Sequence, residues 1–362
     1  MAQRLIHATK QSAPLQAQRE SLTLVQSAHN RLPYAYTYFY PHSHKQMNVS
    51  HIIILALLIM CPALSSGQGT FTIMSYNIEN AFDTIHDEGK NDYEFLTGGV
   101  RHWNTYRLFK KLRSVGKVIA AASEHKPADL IALCEVENEN VMDCLTKKTP
   151  LTNMGYRYVM TSSQDERGID VALLYSPFTF HLISHSSIYV STEKKKTRDI
   201  LHVMGTILSG DTIDAYVVHM PSKLGGRESE ELSIHATGIL LQHIDSVSAR
   251  RTHPNIIVMG DFNADDDAKQ IKMLTRKGLL TNITRRLTPG TYYFQGKWSC
   301  IDHILTRTTS ITHMRSRVLA LPFLLEEDEL RRTKKPYRTF LGPAYHGGVS
   351  DHLPLVSTFS LP

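Results

Sequence analysis

The 362-residue sequence predicts a layered α/β domain. Short apolar runs rich in β-branched residues alternate with stretches of helical periodicity, and turn residues separate them. No linker rich in proline or serine interrupts this pattern after Gly69. Such alternation is typical of sheets covered by helices. We therefore expect one domain over residues 70–362.

The elements of this domain can be predicted in order along the chain. Residues 70–78 (TFTIMSYNI) alternate like a strand, and a helix follows because apolar residues then recur every three or four positions until Pro127. The apolar positions of this helix are Leu108, Leu112, Val115, Ile119 and Ala122. The same spacing predicts a second helix over residues 228–247. Further strands are predicted at residues 129–136, 171–176, 202–208, 213–220, 255–262, 300–306 and 353–359.

Composition excludes several classes of protein. With 42% hydrophobic and 20% charged residues, the chain is neither disordered nor of low complexity, and no repeat is visible. The formal charge of +6 is concentrated near the amino end, since residues 68–362 hold 35 Lys and Arg against 33 Asp and Glu. The charge of the predicted domain therefore says little about its partners.

One long apolar run lies near the amino end, at residues 51–64, and the small residues Ser65, Ser66 and Gly67 follow it. It is shorter than the about 20 residues that span a bilayer. A short apolar run before small residues is typical of a secretory signal peptide. We predict a signal peptide at residues 47–67 that begins at Met47, and a secreted or periplasmic mature chain without a transmembrane anchor. The alternative is a buried core helix, but Pro62 and the polar tail favour cleavage.

Residues 1–46 show neither helical nor strand periodicity. We expect them to be unstructured or to precede the true start of the protein. Of the four cysteines, Cys61 lies within the predicted signal peptide. The other three, Cys134, Cys144 and Cys300, are too few and too widely spaced for a disulfide framework or a zinc cluster. We expect small buried side chains there and at most one bridge.

Several predicted strands end in acids or amides. The set comprises Asn77, Glu79, Glu135, Glu137, Asp261, Asn263, Asp302 and Asp351. Loops at strand ends build sites on layered scaffolds. If these carboxylates converge, their like charges require a cation, and hard oxygen ligands favour Mg²⁺ or Mn²⁺ over Zn²⁺.

Three histidines accompany these acids. His219 ends an apolar strand, and His352 directly follows Asp351. A neighbouring acid can orient an imidazole or raise its pKa for acid/base work. His303 adjoins Asp302 in sequence, but alternation within a strand directs its side chain to the opposite face. We therefore expect His303 to be structural.

Seven motifs follow one another in a specific order. They are SYNIEN (75–80), ALCEVEN (132–138), RGIDVALLY (167–175), VVHMPSK (217–223), VMGDFNAD (258–265), SCIDHIL (299–305) and GGVSDHLPL (347–355). From residue 71 to residue 360 the sequence resembles the endonuclease/exonuclease/phosphatase superfamily, which includes deoxyribonuclease I, abasic-site endonucleases, phosphatases and sphingomyelinases. The ending RTFLGPAYHGGVSDHLP is most similar to secreted bacterial members.

The resemblance implies a four-layer α/β sandwich, in which two mixed β-sheets pack face to face with flanking helices. It also implies metal-dependent hydrolysis of phosphate esters, and roles for individual residues. The implied metal ligands are Glu135, Asn77 and Asp351. The implied catalytic residues are Asp261, which activates water, Asn263, His219, and His352 held by Asp302. The implied phosphate contacts are Arg167, Asn263 and His219. Asp170 receives no role from the resemblance.

The function predicted from these residues is that of a Mg²⁺-dependent (or Mn²⁺-dependent) phosphodiesterase that acts as a nuclease. Its partner is then a phosphate ester, namely nucleic acid, and we expect a monomer. Residues 194–196 with Arg198 form a basic run that either contacts a nucleic-acid backbone or is a solvated loop.

Two alternatives remain open. The first is a phosphatase or a sphingomyelinase-like phospholipid phosphodiesterase; an exposed aromatic or apolar loop would favour lipid, and the sequence shows none. The second is a catalytically inactive binding module. The complete set of predicted catalytic and metal positions argues against that module.

Overall fold

The computed structural model describes residues 69–122, 126–193 and 195–362. The chain divides into Met1–Ser65 and Ser66–Pro362, and every described residue belongs to the second unit. Residues 1–46 and the predicted signal peptide at 47–67 lie outside the described residues, so those predictions stay open. In the described part, no helix combines the length and the apolar character needed to span a membrane.

Within the described ranges the chain forms four α-helices and eighteen strands. The helices are α1 Thr105–Ala120, α2 Glu139–Lys147, α3 Gly226–Ala249 and α4 Lys269–Thr275. The strands are β1 Thr70–Ala81, β2 Leu130–Val136, β3 Arg157–Met160, β4 Asp170–Tyr175, β5 Phe180–Ile188, β6 Ile200–Ile207, β7 Thr212–His219, β8 Ile256–Asp261, β9 Thr281–Asn282, β10 Tyr292–Phe294, β11 Lys297–Ser299, β12 Asp302–Arg307, β13 Thr312–Val318, β14 Leu325–Asp328, β15 Thr333–Pro336, β16 Phe340–Leu341, β17 Ala344–Tyr345 and β18 Leu355–Ser360.

Two six-stranded mixed sheets form the centre of the molecule. The first sheet has the order β13-β18-β1-β2-β4-β3, and the second has the order β5-β6-β7-β8-β12-β9. Each sheet contains one parallel pair, β1 with β2 and β7 with β8. Three two-stranded ribbons, β10-β11, β14-β15 and β16-β17, complete the described strands. The predicted sandwich of two mixed sheets with flanking helices is confirmed.

Side-chain alternation along the strands separates three apolar layers. Ile73 of β1 and Val217 of β7 belong to the layer between the two sheets, and both are fully buried. Their neighbours Met74 and Val218 point to the opposite faces, where they pack beneath the helices. Because both faces of each sheet are covered, the central strands are almost continuously apolar.

Local sequence explains where the first helices begin. The side chain of Asn104 accepts a hydrogen bond from the backbone of Arg107 and caps α1, while Asn138 caps α2 in the same way. Leu108, Leu112 and Val115 are buried against the first sheet, as their spacing predicts. Both helices thus hold the first sheet from outside.

Both predicted helices and the predicted strands are present, with ends shifted by one to three residues. The sequence pattern did not predict the edge strands β3, β5, β9 and β13, the helices α2 and α4, or the three ribbons. The three remaining cysteines are free thiols; Cys134 is buried, and Cys144 and Cys300 are half-buried.

Candidate active site

Strand register brings the predicted residues together. In the second sheet His219 lies opposite Asp261 across β7 and β8, and Asp261 lies opposite Asp302 across β8 and β12. In the first sheet Asn77 and Glu135 lie toward the carboxyl ends of the parallel strands β1 and β2. The Nδ2 atom of Asn77 donates to Asp261 Oδ2 at 2.9 Å and so joins the two sheets. The site therefore lies where both sheets end on the same side of the sandwich.

A buried histidine and a buried aspartate form the shortest ion pair of the site. The Nδ1 atom of His352 lies 2.8 Å from Asp302 Oδ2, and both side chains are almost completely buried. The backbone N–H of His352 also donates to Ser350 Oγ at 3.0 Å. Within the described structure, the other oxygen of Asp302 has no hydrogen-bond partner. The carboxylate thereby fixes the ring and leaves Nε2 free to face the cleft.

Asp261 occupies the middle of the site. Its Oδ2 lies 3.8 Å from the Nε2 atoms of both His219 and His352. Its Oδ1 accepts the backbone N–H of Asn263 at 2.8 Å. The separations from the imidazoles exceed a direct hydrogen bond, so a water molecule or a phosphate oxygen can bridge these groups.

Glu135 and Asn77 lie on the first-sheet side of this centre. Oε2 of Glu135 accepts the backbone N–H of Asn80 at 2.8 Å, and Oε1 lies 3.3 Å from Asn77 Nδ2. The amide oxygen of Asn77 accepts the backbone N–H of Glu79 at 2.9 Å. In this arrangement Asn77 presents its N–H group to the carboxylates. If Asn77 were a metal ligand, its amide oxygen would have to bind the cation while it accepts the hydrogen bond from the backbone of Glu79.

Asp351 is placed by an arginine that the sequence reading overlooked. The Nη2 atom of Arg338 donates to Asp351 Oδ2 at 2.9 Å, while Asp351 Oδ1 lies 4.0 Å from His352 Nε2. Arg338 also lies 3.6 Å from Glu79, whose carboxylate accepts the backbone N–H of Thr339 at 2.6 Å. These contacts link Asp351 to the segment that precedes it.

A buried lysine also contacts the segment that precedes Asp351. Lys111 of α1 donates to Thr339 Oγ1 at 2.5 Å and to the carbonyl of Val349 at 2.8 Å. Burial lowers its pKa to about 8, and burial with the nearby Asp351 raises the pKa of Glu79 to about 7. Helix periodicity predicts no charged residue on the inner face of α1, so this contact could not be inferred from the sequence pattern.

The predicted phosphate contacts lie around His219. The side chain of Asn263 donates to the carbonyl of Met220 at 3.0 Å, so its amide is directed by the strand end. Arg167 is half exposed, and its backbone N–H donates to Asp165 Oδ1 at 3.1 Å. Burial lowers the pKa of His219 well below its usual value, and nearby Arg198 and Arg167 lower it further. His219 is therefore neutral at neutral pH.

Arg198 corrects one sequence expectation. It is neither part of a solvated loop nor available to a nucleic-acid backbone, because it is only 7% exposed and pairs with Asp165 at 3.1 Å. It also donates to the carbonyl of Met220 at 2.7 Å. Arg198 thus stabilises the end of β7, which carries His219. It also binds Asp165, which in turn accepts the backbone N–H of Arg167.

Three of the residues considered above lie apart from this centre. Glu137 accepts the backbone N–H of Asp83 at 2.6 Å, and Asp170 accepts bonds from Thr161 and Ser163, so both stabilise loops. His303 bonds to the carbonyl of Ala264 at 2.7 Å on the helix-covered side of β12. Its structural role agrees with the alternation argument.

The sequence matches the Endonuclease/Exonuclease/phosphatase family over residues 72–360. The chain belongs to this family. No curated protein matches the sequence. Members of the family are phosphoester hydrolases that generally use a divalent metal ion, so the chain is assigned to this class of hydrolases.

Solved structures show the same fold. An endonuclease/exonuclease/phosphatase family protein from Bacteroides thetaiotaomicron superposes with a TM-score of 0.56 at 17% identity, covering 81% of this chain and 96% of that one. A mannosyl-6-phosphatase from the same species gives 0.53 at 17%, covering 80% and 100%. D. rerio TDP2 in complex with a single-strand DNA product gives 0.52 at 15%, covering 81% and 99%. At these identities the likeness establishes the fold.

The donor set of the family site fits a hard divalent cation. Glu135 and Asp351 are partly exposed carboxylates at the cleft, and each has one oxygen without a short hydrogen bond within the described ranges. Asp261, Asp302 and His352 also bring ligand atoms within 4.8 Å of one another. The Asp302–His352 bond already engages two members of that second group, whereas Glu135 and Asp351 each keep one oxygen that a cation could use.

Two buried groups of the site, Asp261 and His352, both have raised pKa values. Burial, followed by the charge of Asp302, raises the pKa of Asp261 to about 7. Burial opposes the charge of His352, but the carboxylates of Asp302 and Asp261 raise its pKa well above the usual value. At neutral pH the histidine is charged, while the aspartate can accept a proton. This arrangement suits a base and an electrostatic partner on either side of a reacting phosphate.

Proposed function

We propose that the chain is a divalent-metal-dependent phosphodiesterase that cleaves nucleic acid. The observation that carries this proposal is the position of Asp261 Oδ2, 3.8 Å from two imidazoles, one of which is held by Asp302 at 2.8 Å. The Asp261 carboxylate, which can accept a proton, thus lies beside the positively charged ring of His352, which Asp302 holds in place. Hydrolysis of an anionic ester requires both groups.

The reaction needs a water molecule to be deprotonated and aligned with the leaving oxygen. Asp261 accepts the proton while its oxygen stays oriented by Asn77 and Asn263. The water oxygen then forms a bond to phosphorus as the ester bond to the leaving oxygen breaks. The leaving alkoxide takes a proton from solvent and Asp261 returns its proton to solvent, giving a phosphomonoester and an alcohol. His352 stabilises the negative charge that develops on the phosphoryl oxygens.

Other side chains bind the phosphate in the ground state. In this mechanism neutral His219 and the amide of Asn263 donate to non-bridging oxygens, and the guanidinium of Arg167 can contact two of them at once. Glu135 and Asp351 would hold Mg²⁺ or Mn²⁺, which supplies Lewis-acid polarisation of the phosphate. Asn77 would either complete this set or orient Glu135.

Substrate class separates the main proposal from its alternative. The similar structures include both a phosphatase and a protein crystallised with a DNA product, so the fold supports either activity. Assay of residues 68–362 with Mg²⁺ against single-stranded DNA, RNA, phosphomonoesters and sphingomyelin decides between them. Oligonucleotide cleavage absent in the His352→Ala protein supports the nuclease. Release of phosphate from monoesters alone would indicate a phosphatase instead of a nuclease. Turnover of no substrate would favour the inactive binding module.

We also propose that the protein is exported and acts as a monomer outside the cytosol, since an apolar run followed by small residues precedes the family match. Amino-terminal sequencing of the protein from culture medium or periplasm should give a start near residue 68. A mature protein that retains residues 47–67 contradicts export. Light scattering of the purified chain should give a single-chain mass.

A further inference from the structure

The β10-β11 ribbon lies directly against the predicted catalytic histidine. Tyr292 forms an isolated antiparallel bridge with His352, and the backbone N–H of Leu353 donates to the carbonyl of Thr291 at 2.7 Å. The rings of Tyr292 and His352 are tilted, with centroids 4.9 Å apart. The first aromatic residue of the ribbon therefore forms part of the wall beside the reacting phosphate.

Strand alternation directs a second aromatic ring to the same face. Tyr292 and Phe294 are two residues apart, and their rings are nearly parallel at 14°, with centroids 6.4 Å apart. Phe294 is the register partner of the exposed Lys297 across the ribbon, so a basic residue neighbours the outer aromatic position. Phe294 is 54% exposed. This face thus offers aromatic surface that begins at His352 and ends at a lysine.

The opposite face of the ribbon is fixed to the rest of the domain. The hydroxyl of Tyr293 donates to Asp328 of β14 at 2.9 Å. Trp298, which contacts the Tyr293 ring edge to face at 5.3 Å within the ribbon, packs against the apolar layer beneath α1 and α2. At the turn, Gly296 has a positive φ of 90°, and the side chain of Arg331 fills the space where a Cβ would lie. The aromatic face is therefore held in place before any ligand binds.

This face corrects the expectation that the chain has no exposed aromatic segment. Single exposed apolar side chains such as Phe178 and Leu208 are ordinary on protein surfaces. The pair formed by Tyr292 and Phe294 differs from them, because its rings are aligned with each other and continue from a catalytic side chain. Such an alignment suits a planar ligand group attached to the reacting phosphate.

We propose that Tyr292 and Phe294 form a stacking platform for the nucleobase that flanks the scissile phosphate, with Lys297 contacting the next phosphate of a single strand. The inference rests on the proposed nuclease function and deepens it. A base presents a flat π-face to an aromatic ring, and its strand carries phosphates that a lysine can pair with. A stacked base in a duplex lacks a free face, so the platform selects unpaired substrate. Every base has such a face, so it selects no particular base.

The test compares two small substrates that differ only in the base. One is p-nitrophenyl thymidine 5′-phosphate, and the other is the same diester of 1,2-dideoxyribose, in which a hydrogen atom replaces the base. Phe294→Ala should raise KM for the thymidine ester about 5- to 100-fold, the effect expected for one base stacked on an aromatic ring. KM for the abasic ester and kcat for both should stay within about twofold, because Phe294 does not touch the reacting atoms.

A binding arm separates this inference from the proposed function. An oligonucleotide with 2-aminopurine is titrated in EDTA, where turnover is prevented, and its fluorescence should be quenched by the wild-type protein and much less by Phe294→Ala. Phe178→Ala is the matched control, because it removes an exposed aromatic side chain outside the ribbon. Phe294→Tyr should retain the binding, since it retains the ring.

The outcomes are distinct. Quenching that depends on Phe294, together with hydrolysis of neither ester, supports the platform and defeats the nuclease proposal. Equal KM changes for both esters, or no change for either with unaltered quenching, overturns the platform. Loss of binding to sphingomyelin vesicles in Phe294→Ala, with unchanged KM for both esters, also overturns it and assigns the ribbon to a lipid surface.

Discussion

The Nδ1 atom of His352 lies 2.8 Å from Asp302 Oδ2, and the two side chains come from opposite sheets of the sandwich. Asp302 begins β12 of the second sheet, while His352 precedes β18 of the first. The geometry of the proposed active site therefore depends on how the two sheets pack. A charged imidazole is held in the interior only because its carboxylate partner is buried with it.

Removal of either member of this pair should have the same consequence. His352→Ala should lower kcat by roughly 10² to 10⁴ with little change in KM, because the ring acts mainly in the transition state. Asp302→Asn leaves the ring less well oriented and less readily protonated, so its effect should be similar. The double variant should be no worse than His352→Ala alone. Steady-state kinetics on the three proteins, with circular dichroism as the control for folding, tests this coupling; additive losses would contradict it.

The cation site makes a prediction about chelation. Activity should vanish in EDTA and return with Mg²⁺ or Mn²⁺, since the proposed ligands Glu135 and Asp351 offer hard oxygen atoms. Glu135→Gln should weaken Mn²⁺ binding in calorimetry while the fold stays intact. Glu139→Gln, which alters an exposed acid on α2, is the matched control and should bind Mn²⁺ normally. Full turnover in chelator would eliminate the metal-dependent mechanism.

Arg167 should affect substrate binding more than chemistry. It is half exposed beside Asp165, and its guanidinium is available to a ground-state phosphate. Arg167→Ala should therefore raise KM several-fold with a smaller effect on kcat. Arg113→Ala, at an exposed position of α1, should change neither value. A fall in kcat at constant KM would place Arg167 in the transition state instead.

A buried network away from the active site makes a prediction about stability. Asp214 bonds to His202 at 3.0 Å and to Arg251 at 2.9 Å. Burial acts to raise the pKa of Asp214, but these two partners lower it below the usual value. A lowered folded-state pKa means that the stabilisation is present above the unfolded value near 3.8 and is lost as the pH falls through the lower, folded value.

Asp214→Asn should accordingly lower the free energy of unfolding at pH 7 by about 1.5–3 kcal/mol, the range for hydrogen bonds to charged groups. The difference from wild type should shrink at strongly acidic pH. Urea unfolding across pH measures both effects, and Asp245→Asn, at an exposed position of α3, serves as control. A pH-independent difference would show that the charge of Asp214 is not involved.

The sequence predicted the central strands and the two long helices because their hydrophobic patterns are strong. β1 and α1 appear within a few residues of the expected positions, as buried periodic segments should. The edge strand β5 was missed because most of its residues are exposed and carry no alternating apolar pattern. The ribbons were missed because two to four residues are too few for periodicity to be detected.

Side-chain placement within the site followed from motifs only in part. Strand-end position predicted that Asp261 and Glu135 would converge, and both lie near Asn77 and His219. The same criterion also selected Glu79, whose carboxylate instead accepts the backbone N–H of Thr339. Arg338 and Lys111 are 227 positions apart in sequence, and Lys111 donates to Thr339, the residue next to Arg338. A local sequence pattern cannot predict contacts between such distant residues. Contacts of this kind depend on tertiary packing.

The most direct test of the account is the steady-state kinetics of Asp261→Asn beside His352→Ala, measured with Mg²⁺ on a phosphodiester that the wild-type protein hydrolyses. Asp261 lies 3.8 Å from His352 in the folded protein, on the path of the attacking water in the proposed mechanism. We predict that each variant folds normally and loses roughly 10² to 10⁴ in kcat with nearly constant KM. Near wild-type kcat in both variants would contradict the roles assigned to these residues even though the fold is correct.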